Sequence, residues 1–167
     1  GHLNHGVSVF NGERWQNYEV VGGLSRPDSL NGPLGERVFR IAVNPVDGDV
    51  WMATSCGLAR YGDAKGTWTY YTRAEGLPSD QANGIAFGKD GTIYVGTQCD
   101  GIAIASPKDD YKTWRRVRGP EALPTTASGS GLPTNLINDV LVARDGTVYA
   151  AMTAGLALTL AFPRFAH

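Results

Sequence analysis

The chain has 167 residues, a formal net charge of −1 at pH 7, 22 Gly and 9 Pro, with only 19% charged residues. That length suffices for one domain with a real core, and without a Lys/Arg-rich run it lacks the basic footprint of a nucleic-acid binder. No stretch approaches the roughly 18 apolar residues of a membrane span. The two cysteines, Cys56 and Cys99, make neither a disulfide framework nor a CxxC metal motif.

The first pattern in chain order is the alternating strand "GVSVF" (6–10), followed by a polar turn and a tryptophan strand "RWQNY" (14–18). After the polar stretch "GGLSRPDSLNGPLGE" (22–36) comes an apolar strand, "RIAV" (40–43), and then "DGDVWMATSCG" (47–57). The cycle repeats with "GLARY" (57–61), "TWTYYT" (67–72), "GLP" (76–78), "GIAF" (84–87) and "DGTIYVGTQCDG" (90–101). It repeats again with "GIAIA" (101–105), "TWRRV" (113–117), a loop enlarged by "GPEALPTTASGS", a second "GLP" (131–133), "DVLV" (139–142) and "DGTVYAAMTAG" (145–155). The tail "GLALTLAF" (155–162) reads as one more strand. No signal peptide is visible, and Gly1-His2 reads as a cloning remnant.

Gly6, Gly57, Gly101 and Gly155 are separated by 51, 44 and 54 residues. A period in this range with four strands per unit and no 3.6-residue periodicity specifies an all-β fold, a β-propeller of four-stranded antiparallel blades. The Asp-Gly pairs predict tight type I′ hairpins with φ > 0 at both central residues. The runs that follow them are β-branched and aromatic enough for strands buried on both faces. The tryptophans at 15, 68 and 114 fall on outermost strands, as covers between blades; the alternative is stacking on sugars.

The second unit, "GLARYGDAKGTWTYYTRAEGLPSDQANGIAFGKDGTIYVGT" (57–97), resembles the two-component-regulator propeller repeat. Gly57-Leu58, Tyr61, Trp68, Tyr70-Tyr71-Thr72, Gly76-Leu77-Pro78, Asp90-Gly91 and Ile93 to Thr97 carry the match, which is looser in the flanking units. The resemblance implies a propeller with a sensing or binding role, a periplasmic or extracellular setting, and no shared catalytic residues.

About three blades are present: outer strands of one at 7–20, then blades at 38–72, 82–118 and 137–161. Propellers close with 4–8 blades, so the ring is expected to be completed by oligomerisation, as a strand-swapped dimer of six blades, or to be a piece of a larger propeller. "GLALTLAF" gives the swapped blade one strand too many, which favours the second alternative. Open strand edges favour association either way.

The long insertions 22–36 and 119–136 and the varied turns "TSC", "TQCD" and "MTA" fall on one face, the natural place for a ligand. The candidate binding residues are Ser55, Cys56, Gln98, Cys99 and Asp100 in the turns, with Asn83 and Asn138 where inner strands begin. For the two asparagines the alternative is satisfaction of buried backbone groups. For Cys56 and Cys99 it is small-residue packing, with a thiol metal pair or disulfide as a further one. Arg115-Arg116 with Arg118 read as solvated charge, or as a grip on an anion. His2, His5 and His167 all lie at the termini, and no phosphate loop, GxSxG or HExxH is present. The sialidase Asp-box SxDxGxTW is only echoed near Trp68, by Asp63 and Thr67. The expected function is therefore a non-enzymatic module, without metal or cofactor, for a small ligand, glycan or protein. A carbohydrate-binding lectin is the alternative, and a lyase-type propeller enzyme a more remote one.

Overall fold

The computed structural model describes residues 6–20, 31–35, 37–62, 64–119, 132–153 and 155–159. Within them run the strands β1 (Val7–Phe10), β2 (Trp15–Tyr18), β3 (Val38–Val43), β4 (Val50–Thr54), β5 (Gly57–Gly62) and β6 (Thr67–Tyr71). They continue as β7 (Ala82–Phe87), β8 (Ile93–Thr97), β9 (Ile102–Ala105), β10 (Arg115–Val117), β11 (Ile137–Val142), β12 (Val148–Met152) and β13 (Gly155–Thr159). Most of the two insertion loops, the three histidines, Asp63 and the tail beyond Thr159 lie outside the described residues.

Consecutive strands pair antiparallel into four sheets: β1–β2, β3–β6, β7–β10 and β11–β13, here the first to fourth blades. The inner strands β3, β7 and β11 stand side by side. Each blade has one face toward the blade before it and one toward the blade after it, because side chains alternate along a strand. Val95 of β8 packs toward the second blade, whereas its neighbour Tyr94 packs toward the fourth. Between the second and third blades lie Trp51, Leu58, Tyr71, Ile85, Ile93 and Val95. Between the third and fourth lie Ile102, Ile104, Ile137, Val140 and Ala150.

The leucines of the two "GLP" loops plug these seams: Leu77 belongs to the first cluster and Leu132 to the second. Leu34, inside the long first loop, is buried as well. The tryptophans follow a rule across seams. Tyr18 of the first blade lies 5.3 Å from Trp68 of the second, and Tyr71 of the second lies 5.9 Å from Trp114 of the third, both edge-on. These two rings are structural covers between blades.

The Asp-Gly hairpins differ from the expected type I′ turn. Gly48, Gly91 and Gly146 have φ of 79°, 80° and 89°, but the aspartates before them do not take positive φ. The Gly91 N–H donates to Gly88 O and the Gly146 N–H to Ala143 O, so the turn precedes a single left-handed glycine, the longer-loop hairpin geometry. Each aspartate acts through its carboxylate: Asp47, Asp90 and Asp145 accept from the N–H two residues on, at 2.9, 3.0 and 2.9 Å. An Asx turn fixes these bends, so Asp need not strain its own backbone.

The Asp-box spacing echoed near Trp68, where Asp63 lies outside the described residues, recurs at the start of β10. Asp109, Tyr111, Thr113 and Trp114 fall on D-x-G-x-T-W, and Tyr111 takes the glycine's left-handed conformation with φ 60°. Asp109 Oδ2 accepts from the Thr113 N–H at 3.0 Å, and hydrogen bonds from Thr113 hold its carboxyl below the usual range. The left-handed turn at Asp110-Tyr111 sends the Tyr111 ring under the second blade, where its hydroxyl accepts from Asn44 Nδ2 (2.8 Å) and donates to Gly91 O (2.9 Å). Burial is the first cause that pushes its pKa up to about 12. A phenol with a raised folded-state pKa binds its proton more tightly folded than unfolded. Its share of stability is therefore complete below about pH 10 and lost as pH rises toward 12. Tyr111→Phe is expected to lower stability at neutral pH and to flatten the alkaline decline, read from urea midpoints between pH 8 and 12.

Candidate functional site

The inner strands share an irregularity on the loop face. A register shift falls between Val38 and Arg40 in β3, between Ala82 and Gly84 in β7, and between Ile137 and Asp139 in β11. The extra residues are Phe39, Asn83 and Asn138, at equivalent places in three blades. A bulge re-aims a side chain out of the ladder, so three neighbouring strands present one such residue each near the centre of the loop face. Phe39 escaped the sequence reading because an apolar residue at the start of an apolar strand looks like more strand.

The positions after the bulges hold Arg40, Gly84 and Asp139. A Cβ on Gly84 would lie 2.6 Å from Asp139 Cα, so the glycine admits β11 close against β7. Arg40 reaches across that gap to Asp139, its guanidinium 3.4 Å from Asp139 Oδ2. Both side chains are about half exposed, and a pair so screened contributes little to stability, roughly 0–1 kcal/mol.

Asn83 and Gln98 are brought together. Asn83 Nδ2 donates to Gln98 Oε1 at 2.9 Å and to Ile137 O of the next inner strand at 2.9 Å. Gln81 Nε2 stands 3.5 Å from the same Gln98 oxygen. Asn83 thus satisfies a backbone carbonyl of the fourth blade while holding the Gln98 amide in place. Asn138 is exposed beside this pair in the sequence of inner strands.

The turn residues have different surroundings. Thr54 Oγ1 accepts from the Cys56 N–H and donates to Gly57 O, and Thr97 repeats this with Asp100 N–H and Gly101 O. Ser55 and Cys56 lie under the 32–35 loop, since a Cβ on Gly35 would sit 2.7 Å from Ser55 Oγ and 2.9 Å from Cys56 N. Cys99 is exposed, and neither cysteine is in a disulfide. Asp100 is nearly buried among arginines: Arg73 at 3.4 Å, Arg116 at 3.2 Å and Arg118 at 3.9 Å. Arg73 also approaches Asp80 at 3.8 Å. Arg116 and Arg118 are thus partners of Asp100, a pairing of residues 16 and more apart that no local pattern announces. Three guanidinium groups thus gather on this rim of the loop face, with Asp80 and Asp100 between them.

No group of three or more His, Cys, Asp or Glu among the described residues is arranged to hold a metal ion.

Four-stranded antiparallel sheets packed face to face, with their first strands together, define the chain as a segment of a β-propeller. No protein-family model matches it, and no curated protein does. It is similar to the extracellular domain assigned to a hybrid two-component system, BT3049 of B. thetaiotaomicron, at 19% identity and a TM-score of 0.73. That match covers 93% of this chain and 20% of that one. The extracellular domain of BT4673 from the same organism matches at 12% identity and a TM-score of 0.67, over 93% of this chain and 19% of that one. A streptogramin B lyase structure matches at 17% identity and a TM-score of 0.57, over 94% and 48%. The chain therefore spans about a fifth of the extracellular domains it resembles, and the likeness to two-component-regulator propellers seen in 57–97 extends to three dimensions.

Proposed function

We propose that the chain is part of an extracytoplasmic β-propeller that binds a ligand or protein partner across its loop face and performs no reaction on it. The observation that carries this reading is the row of bulges, which turns Phe39, Asn83 and Asn138 out of three adjacent inner strands at one level. Bulges concentrate where a fold presents functional groups, and here they share a face with the Gln81–Asn83–Gln98 amides and the arginines around Asp100. The similar solved structures include extracellular domains of two-component systems, which supports a sensing role and a place outside the cytoplasm. Among the described residues no helix is long and apolar enough to cross a membrane.

A carbohydrate is favoured as ligand by the chemistry of the row: an exposed aromatic ring beside fixed amides suits a sugar's apolar face and its hydroxyls together. A glycan array with the wild-type chain, followed by titration of any hit against Asn138→Ala and Gln98→Ala, tests both readings. Loss of tenfold or more in affinity in these variants, and none in Asp145→Asn on the opposite face, is the expected result. Equal binding by all three variants would sink the loop-face assignment. An array without hits would remove the carbohydrate and leave a protein or other small ligand.

A further inference from the structure

We infer, resting on the loop-face reading above, that Asn83 is a positioning residue, which fixes the Gln98 amide so that its nitrogen, and not its oxygen, is offered to a ligand. The constraint begins at a group that cannot change role. Ile137 O is a backbone carbonyl and only accepts, so the end of the Asn83 amide 2.9 Å from it is the nitrogen. The second hydrogen of Asn83 Nδ2 is then directed at the Gln98 amide, 2.9 Å away, and the end that meets it is Oε1. Gln81 Nε2, at 3.5 Å, approaches the same oxygen. One carbonyl of the fourth blade thus sets the orientation of two amides of the third.

Gln98 Nε2 is the end left over. Gln98 Oε1 faces two donors, whereas Nε2 donates no hydrogen bond among the described residues, and Gln98 is partly exposed. The backbone of Gln98 is held as well, its N–H donating to Gln81 O at 3.1 Å. Little side-chain freedom then remains to be lost when a ligand binds. An oxygen that accepts, such as a sugar hydroxyl or ring oxygen, meets a fixed donor here. A group that can only donate, an ammonium above all, does not.

The repeat supplies its own control against a purely structural role. The second blade has the same bulge, with Phe39 in the place of Asn83, and an equivalent turn, with Ser55 in the place of Gln98. The Ser55 N–H donates to Arg37 O at 3.0 Å, as the Gln98 N–H does to Gln81 O. β3 stands beside β7 as β7 stands beside β11, although the Phe39 side chain has no donor for a neighbouring carbonyl. An amide required to close a seam would stand in both blades. Satisfying Ile137 O, moreover, takes one hydrogen of Asn83 Nδ2, and the other is spent on Gln98.

Side-chain amide exchange in deuterated solvent, followed by nuclear magnetic resonance on the full chain, tests the orientation without any ligand. The Nδ2 protons of Asn83 are expected to exchange roughly tenfold more slowly than the Nε2 protons of Gln98, because hydrogen-bonded protons are protected. Asn83→Asp is expected to reverse Gln98, whose nitrogen turns to the new carboxylate and exchanges slowly. Equal exchange of the two amides in the wild type, or no slowing of Gln98 in Asn83→Asp, would overturn the inference. Gln98→Glu tests the polarity, since one carboxylate oxygen still accepts from Asn83 while the other replaces the nitrogen. On a glycan array this variant is expected to lose about tenfold or more of the wild-type signal at pH 7. Part of it should return near pH 4, close to the ordinary Glu pKa of ~4.3, where the protonated oxygen donates. Binding equal to the wild type at pH 7, or a loss that pH 4 does not relieve, would overturn the inference equally. A wild-type chain that binds no glycan removes the sugar as ligand, while the exchange rates still decide the orientation, so the two failures are told apart.

Discussion

Gly101→Ala is expected to cost about 2–5 kcal/mol of stability. Gly101 turns the chain into β9 with φ 74°, a left-handed conformation that costs a side chain about 1–2 kcal/mol. The added Cβ would also lie 2.1 Å from Val117 O, a backbone atom of β10 fixed by pairing. Moving β10 away would strip the pairs Arg116–Ala103 and Val117–Ile102 and open the seam beside Ile102 and Ile104. Overpacking of this kind adds roughly 1–3 kcal/mol, so about 2–5 kcal/mol is lost from a domain whose total is on the order of 5–15 kcal/mol. Gly57→Ala, with φ 103° and Tyr71 O at 2.3 Å, is expected to behave alike. Gly155→Ala is the control: φ is 118° but nothing lies within 4 Å, so only the backbone strain of about 1–3 kcal/mol applies. Urea midpoints of the three variants check the order. Equal losses at 101 and 155 would show that backbone conformation, not the fourth strand, imposes the glycine.

These glycines also show what can be read from one sequence. A repeat multiplies every weak local signal, so four glycines, three Asp-Gly pairs and three tryptophans at matching offsets specify strands and blades although each alone is ambiguous. The structure places two of those tryptophans, 68 and 114, against tyrosines of the preceding blade. The type I′ expectation failed because Asp has two ways of making a turn, and the periodicity does not say whether its backbone or its carboxylate is used. The site was legible only where it coincides with the repeat. Asn83 and Asn138 could be named by their offset, and so could Gln98 in its turn. Phe39 holds the same offset but is apolar, so its place at a bulge is visible only once the register with β4 is known. The arginines around Asp100 come from the turn after β6 and from the end of β10, far from it in sequence. Arg40 and Asp139 likewise meet only because Gly84 lies between them in space. Pairings of this type depend on the curvature of the ring, which no window of sequence contains.

Departures from the repeat also mark where a blade is pinned, and Arg60 is the largest. Its equivalents are Val9 and Ile104, apolar residues on the face toward the following blade. Arg60 instead lies over the Trp51 and Tyr111 rings, 5.3 and 5.4 Å from their centroids. Its guanidinium donates to Asp49 (2.6 Å), Asp110 (2.8 Å) and Asp47 (3.2 Å). Burial alone would weaken its hold on the proton, but bonds to Asp110, Tyr71 and Asp49 more than offset this, and the pKa is raised. Asp110 belongs to the left-handed turn of the third blade, so Arg60 ties two blades together on the Asp-Gly side. Arg60→Leu fits the space its equivalent Ile104 uses, yet it leaves Asp49, with a side chain 16% exposed, beside Asp47 without a counter-charge. An uncompensated carboxylate at that depth is expected to cost about 2–3 kcal/mol, below the ~3–5 kcal/mol of a fully buried pair because Asp110 is 66% exposed and screened. Adding Asp49→Asn should restore most of the loss, since an amide needs no counter-charge. Urea unfolding of the wild type, both single variants and the double variant measures the coupling. If Arg60→Leu costs the same with Asn at 49 as with Asp, the loss comes from stacking on Trp51 and Tyr111, and the charge cluster is not what holds the second and third blades together.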